Sequence, residues 1–184
     1  MAKIAWDEAA GAEQNARMRL PAMLAEYFAE GRRLAGGNPP AAELHAFRLA
    51  TKRVRYTLEM FRPVYGRGLE ERLESLRNLQ TMLGEINDCA AGRARLDAAL
   101  DAAPDERDRV DRFIDDRQAA LTAAFLEFWR QTFDAAGCEE RWQAHLRQGP
   151  RARTAPVTAK KAAKPKKAVK KTVTTRRRAP AQPS

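Results

Sequence analysis

The chain has 184 residues, with 34 Lys and Arg, 24 Asp and Glu, and a formal net charge of +10. Residues 1–148 hold 22 basic and all 24 acidic residues, a balance of −2, whereas residues 149–184 hold 12 basic residues and no acid. No apolar run approaches the ~20 residues of a transmembrane helix, and the first residues lack the apolar core of a secretory signal. We therefore expect no membrane partner and a cytoplasmic location.

The first two predicted helices follow from apolar residues at helical spacing and from the breakers between them. The first covers about residues 15–34, and Pro21 suits a first turn, so the residues before it form a separate lead-in or a kinked start. Residues 36–40, Gly-Gly-Asn-Pro-Pro, end this helix. The second runs from about residue 41 to residue 65, and Pro63 kinks or ends it.

Two further helices complete the predicted body. The third starts near Leu69 and extends to about residue 100, with Asp88 as a cap for its second part. The fourth starts near Asp105, and Gly137 breaks it before a short last segment. One face of this amphipathic helix is predicted to comprise Val110, Phe113, Ile114, Arg117, Leu121, Ala124, Phe125, Phe128 and Trp129.

Four amphipathic helices joined by short connections predict an all-α fold, a four-helix bundle over residues 15–147. Residues 1–14 are an N-terminal lead-in. Residues 148–184 are rich in Lys, Ala and Pro and lack aromatic residues, so they cannot bury a core and are predicted to be disordered.

The residues that catalysis and metal binding require are scarce. Cys89 and Cys138 have no zinc or redox spacing and suggest reduced thiols, although a disulfide between them stays open. His45 and His145 are the only histidines, and the chain has no glycine-rich phosphate loop and only two serines. We therefore expect no catalytic residue, no metal site, no cofactor and no enzymatic activity.

The second predicted helix carries a dense positive stripe. His45, Arg48, Lys52 and Arg55 follow one another in steps of three, four and three, within an arc of roughly 80°. A solvated helix face is the plain alternative, but like charges at this spacing cost helix stability. Only Glu59 is placed to pair with Arg55. Because arginine favours bidentate phosphate contacts, the stripe predicts a surface that binds polyanions.

Two motifs resemble a known family. Residues 44–59 contain Leu-His-x-x-Arg-x-x-x-Lys-Arg-x-Arg-Tyr-x-x-Glu, and residues 79–88 contain Leu-Gln-x-x-Leu-Gly-Glu-x-Asn-Asp. Together they resemble the CHAD domain (conserved histidine α-helical domain), above all the second of its two helical repeats. The resemblance covers about residues 15–145. It implies a pair of four-helix bundles around a basic cavity, and binding of inorganic polyphosphate.

The resemblance also implies roles for individual residues. The phosphate contacts would be His45, Arg48, Lys52, Arg53 and Arg55. The side chains that orient or pack around them would be Tyr56, Glu59, Gln80, Asn87 and Asp88. A geometric extension of the surface would add Arg17, Arg19, Arg62 and Arg77.

This body has room for one bundle only, half of the implied double-bundle architecture. Either a single bundle offers an open basic face, or two chains pair to rebuild the double bundle, and we predict a homodimer. The family is often linked to a CYTH-type triphosphate-processing domain, but that domain's ExExK signature is not present in the chain. We therefore infer no hydrolase activity for this chain from the resemblance.

Two functions remain open on the sequence. The first is a non-catalytic protein that binds polyphosphate through the stripe and is targeted to polyphosphate granules. The second is a nucleoid-associated DNA-binding protein, with the bundle as a dimerisation core. In both, the basic tail, which resembles linker-histone tails in composition, adds salt-sensitive affinity for polyanions without reading base sequence.

Overall fold

A computed structural model of the protein describes residues 4–99 and 104–148, and within them the ordered elements are all helical. The predicted all-α class is confirmed. The helices are α1 (Ala12–Ala35), α2 (Ala41–Met60), α3 (Arg62–Tyr65), α4 (Glu70–Ala99), α5 (Pro104–Thr132) and α6 (Cys138–Gln148). A 3-10 turn, Gly66–Leu69, links α3 to α4.

Some predicted boundaries differ from the structure. Helix α1 begins at Ala12 and continues through Pro21 without a separate lead-in helix, because Leu20 before the proline and Leu24 after it are both buried in the same core. Helix α4 is continuous through Asp88, so the predicted cap there is wrong. Helix α2 ends at Met60, and Pro63 lies in α3.

Aromatic residues from several helices form the centre of the core. The Tyr27 and Phe47 rings stack with centroids 5.0 Å apart, and the Trp129 and Phe133 rings stack at 4.8 Å. The Tyr27 hydroxyl lies 3.0 Å from the Thr51 Oγ1, which donates to a backbone carbonyl of α2. Burial raises the pKa of Tyr27, so the phenol stays protonated. This network joins α1, α2 and α5.

The core includes a fifth substantial helix. Helix α1 packs against α2, α5 and α6, while α4 packs against both α2 and α5. Trp142 and Leu146 of α6 are buried with the aromatic cluster, and the Tyr65 hydroxyl donates to the Leu146 carbonyl at 2.8 Å. The short last segment is therefore part of the core, and the four-helix count of the predicted bundle is not confirmed.

Three members of the predicted face of α5 are exposed instead of buried: Phe113, Arg117 and Ala124. Phe113 of α5 is 70% exposed, whereas its neighbour Ile114 is buried. The two side chains point about 100° apart on a helix, and at this part of α5 only Ile114 points into the core. Farther along α5, Phe125 and Trp129 are buried as predicted.

Candidate polyanion-binding seam

Helices α2 and α4 lie side by side and run antiparallel. Three contacts show the direction: His45 with Asn87, Arg48 with Gly84, and Arg55 with Gln80. Residue numbers therefore increase along α2 where they decrease along α4. Both sequence motifs therefore lie along one line of contact. We call this line the basic seam, formed by His45, Arg48, Lys52 and Arg55 of α2 with Arg77, Gln80, Gly84 and Asn87 of α4.

His45 is anchored at one end of the basic seam. Its Nδ1 lies 2.5 Å from the Asn87 Oδ1, and the imidazole is exposed. Because an amide oxygen only accepts, Nδ1 donates and carries the proton. Nε2 is then the nitrogen left for a ligand, and it donates to an anion when the ring is protonated.

Arg48 and Lys52 occupy the middle of the basic seam. Arg48 is half-buried and lies over Gly84, where an added Cβ would be 3.7 Å from the Arg48 Nε. That Nε has no hydrogen-bond partner within the described part of the chain. Lys52 is exposed, with its Nζ 5.7 Å from the centre of the Tyr56 ring. Neither cation forms an ion pair with another described residue.

Arg55 is held on three sides. Its Nε donates to the Gln80 Oε1 at 3.0 Å and its Nη1 donates to the Glu59 Oε1 at 2.6 Å, which confirms the predicted pair with Glu59. The guanidinium carbon also lies 4.3 Å from the centre of the Tyr56 ring. The Arg55 side chain is only 13% exposed. Tyr56 and Gln80 are therefore both in contact with the Arg55 guanidinium.

Glu59 also joins the two helices. Its Oε1 lies 3.5 Å from the Arg77 Nη2, while the Arg77 Nη1 donates to Glu74 at 2.8 Å. The hydrogen bond to Glu74 and the nearby Glu59 charge raise the pKa of Arg77. Arg77 thus extends the basic seam onto α4, although part of its charge is neutralised.

The other predicted contacts do not join this line. Arg53 lies three residues after Ala50, on the flank of α2 that faces Glu26 and Glu30 of α1 across an open groove. Arg62 pairs with Glu70 at 3.1 Å. Arg17 pairs with Glu13 of its own helix, and Arg19 is half-buried on α1. Asp88 is exposed beside Asn87.

Metal ligands are not gathered in the residues that the structure describes. Within residues 4–99 and 104–148, no three side chains of His, Cys, Asp and Glu come together in a way that could hold an ion. Cys89 and Cys138 are both free thiols. None of the helices in these ranges is long and apolar enough to cross a membrane.

The described elements are all helical, and the antiparallel helices α2 and α4 share a cationic surface at the basic seam. The family model of the CHAD domain matches residues 2–97, just over half of the chain, and the chain belongs to that family. No curated protein and no solved structure matches it. The match includes α1, α2 and nearly all of α4, and so contains the whole basic seam. Membership is consistent with polyphosphate-related binding, and the family is not known for catalysis.

Proposed function

We propose that the protein is a non-catalytic binder of inorganic polyphosphate and that the basic seam is its binding site. The observation that carries the proposal is the row of one imidazole and three cationic side chains on α2, of which the middle two have no carboxylate partner among the described residues. Repeated charge-assisted hydrogen bonds would hold a repeating anion there. The phosphate contacts are His45, Arg48, Lys52 and Arg55, with Arg77 in support and Arg53 on the adjoining flank.

Charge reversal at Lys52 tests the proposal. Lys52 is exposed and makes no described ion pair, so Lys52→Glu should fold, and its unfolding temperature should not be lower because a repulsion with Arg48 and Arg55 is removed. Its affinity for long-chain polyphosphate should fall by more than about tenfold, because one favourable contact becomes a repulsion. Isothermal titration of the full chain measures this. Arg109→Glu, on α5, makes the same charge change away from the basic seam, and an equal loss of affinity in both variants would contradict the assignment.

The tail, residues 149–184, lies outside the described residues, and its predicted disorder and its DNA binding stay proposals. With 12 basic residues and no acid, it would add salt-sensitive, non-specific affinity for any polyanion. Binding could in this way direct the protein to polyphosphate granules and link them to nucleoid DNA. Deleting residues 149–184 should abolish DNA binding and leave polyphosphate binding in place. Loss of both would contradict the role of the basic seam.

We also propose that the chain forms a homodimer through the outer face of α2. Leu49, Tyr56 and Met60 follow at intervals of seven and four residues and form an exposed apolar row, with Met60 75% exposed. An open groove of about 490 Å³ lies beside this face, with Ala46 and Ala50 among its lining residues. A second copy packed here would cover the apolar row and bring a second set of cations near the first.

Light scattering at micromolar concentration tests the dimer. The wild-type chain should have twice the monomer mass, and Met60→Glu should restore the monomer because it buries a charge in the proposed interface. Phe113→Glu is the matched control, since Phe113 is as exposed but lies on α5. A monomeric wild type, or a dimer broken only by Phe113→Glu, would contradict the proposal.

A further inference from the structure

The basic seam has a definite length. His45 and Arg55 are ten residues apart in one helix, which places them about 15 Å apart along its axis. Cβ atoms of neighbouring members of the row are about 5–6 Å apart. A compact anion such as orthophosphate can therefore contact two neighbouring members but cannot reach all four.

The two ends of the row are fixed, whereas its centre is open. Asn87 holds His45, and Gln80 with Glu59 holds Arg55. Between them, the Arg48 Nε is buried without a partner among the described residues, and Lys52 is exposed. Two anchored ends keep the row straight, because neither terminal side chain can swing in to surround a compact ligand. Only a linear ligand can contact both ends and the centre at once.

This inference rests on the proposed function and adds a requirement on the ligand. We propose that the basic seam recognises a linear polyphosphate long enough to span the row, about 15 Å. Affinity per phosphate should rise with chain length while further cations are engaged, since each additional contact becomes intramolecular once the first has formed. It should level off once the row is filled.

The test compares the full wild-type chain with Arg48→Gln/Lys52→Gln, which removes the centre of the row and leaves both anchored ends. The matched control, Arg109→Gln/Arg112→Gln, removes two exposed charges from α5. Each protein is titrated with orthophosphate, tripolyphosphate and size-fractionated longer polyphosphates at one salt concentration. Affinities are expressed per phosphate and compared as the ratio of wild type to variant, since all three proteins carry the same tail.

For orthophosphate, which loses at most the two central contacts, the ratio of wild-type to centre-variant affinity should lie above one but below about tenfold. It should increase with length and become constant at more than about tenfold for chains that exceed the row, while the control ratio stays near one. A large ratio that is the same for tripolyphosphate and for long chains would overturn the length requirement and leave polyphosphate binding intact. A ratio near one at every length would refute the proposed function itself. Tighter binding of single-stranded nucleic acid than of polyphosphate of equal charge would overturn the ligand class.

Discussion

At the scale of single residues, the cations of the basic seam differ in what holds them. Arg55 is nearly buried and donates to Glu59 and Gln80, so replacing it would disturb the packing of α2 on α4 as well as ligand binding. Lys52 is exposed and makes no described ion pair. Substitution at Lys52 therefore separates a loss of affinity from a loss of folding, and substitution at Arg55 does not.

A second residue-scale prediction concerns His145 of α6. Its ring lies 5.5 Å from the Tyr65 ring, and its Nε2 is buried without a hydrogen-bond partner among the described residues. Burial, together with the Arg72 charge, lowers the pKa of His145. The unfolded chain therefore binds this proton more readily, and stability falls as pH drops below about 6.5, the ordinary histidine value, towards the lowered folded-state value.

Urea unfolding of the wild type and of His145→Gln at pH 7.5 and pH 5.5 checks this prediction. The variant lacks the titrating group, so the wild type should lose more unfolding free energy than the variant on acidification. Carboxylates that titrate in both proteins cancel in the comparison. An equal loss in the two proteins would show that His145 protonates as easily in the folded chain as in the unfolded one.

Single-residue features of the site were predictable to different degrees. The spacing of His45, Arg48, Lys52 and Arg55 placed them on one face, and the pair of Arg55 with Glu59 follows from its i, i+4 separation within α2. The position of Gly84 under Arg48 could not be predicted, because it depends on the register between two helices. Glycine at that place leaves room for the arginine to lie along α4.

At the scale of elements, the close packing of α1 on α5 depends on Gly31. A Cβ added at Gly31 would lie 2.1 Å from two ring carbons of Trp129, which is fully buried. Gly31→Ala should therefore force the ring or the helix to move and lower the free energy of unfolding by about 1–3 kcal/mol. Chemical denaturation monitored by tryptophan fluorescence measures the change.

Gly92→Ala is the matched control. Gly92 lies within α4, and an added Cβ there meets nothing within 4 Å. This substitution should raise the free energy of unfolding by up to ~1 kcal/mol, because alanine is the better helix former. If Gly31→Ala were neutral or stabilising like Gly92→Ala, the close approach of α1 to Trp129 would be wrong.

The elements themselves were largely predictable, since apolar spacing and Gly and Pro breakers mark them. The wrong predictions concern features that depend on packing between helices. Periodicity placed both Phe113 and Ile114 on the core face of α5, but only Ile114 is buried. A helix start at Pro21 was plausible locally, yet buried residues on both sides of the proline keep α1 continuous. The contribution of α6 depends on Trp142 and Leu146 reaching the shared core, which a short segment does not reveal.

At the scale of the whole molecule, the net charge of +10 combines two different surfaces. Residues 1–148 have a slightly negative net charge and gather cations along one seam. Residues 149–184 contain 12 basic residues and no acidic residue. A seam of ordered cations can distinguish one polyanion from another by spacing and length, whereas a polycation of low complexity responds mainly to charge density. Removing the tail should therefore increase selectivity while it lowers total affinity.

The most direct test is a competition titration on the chain that ends at Gln148. Fluorescently labelled long-chain polyphosphate is bound first, and duplex DNA is added at increasing phosphate concentration across a range of salt. We expect polyphosphate to stay bound at physiological salt when DNA phosphate is present at equal concentration, and we expect Arg48→Gln/Lys52→Gln to abolish this preference. Displacement of polyphosphate by an equal or smaller concentration of DNA phosphate would show that the basic seam does not select polyphosphate.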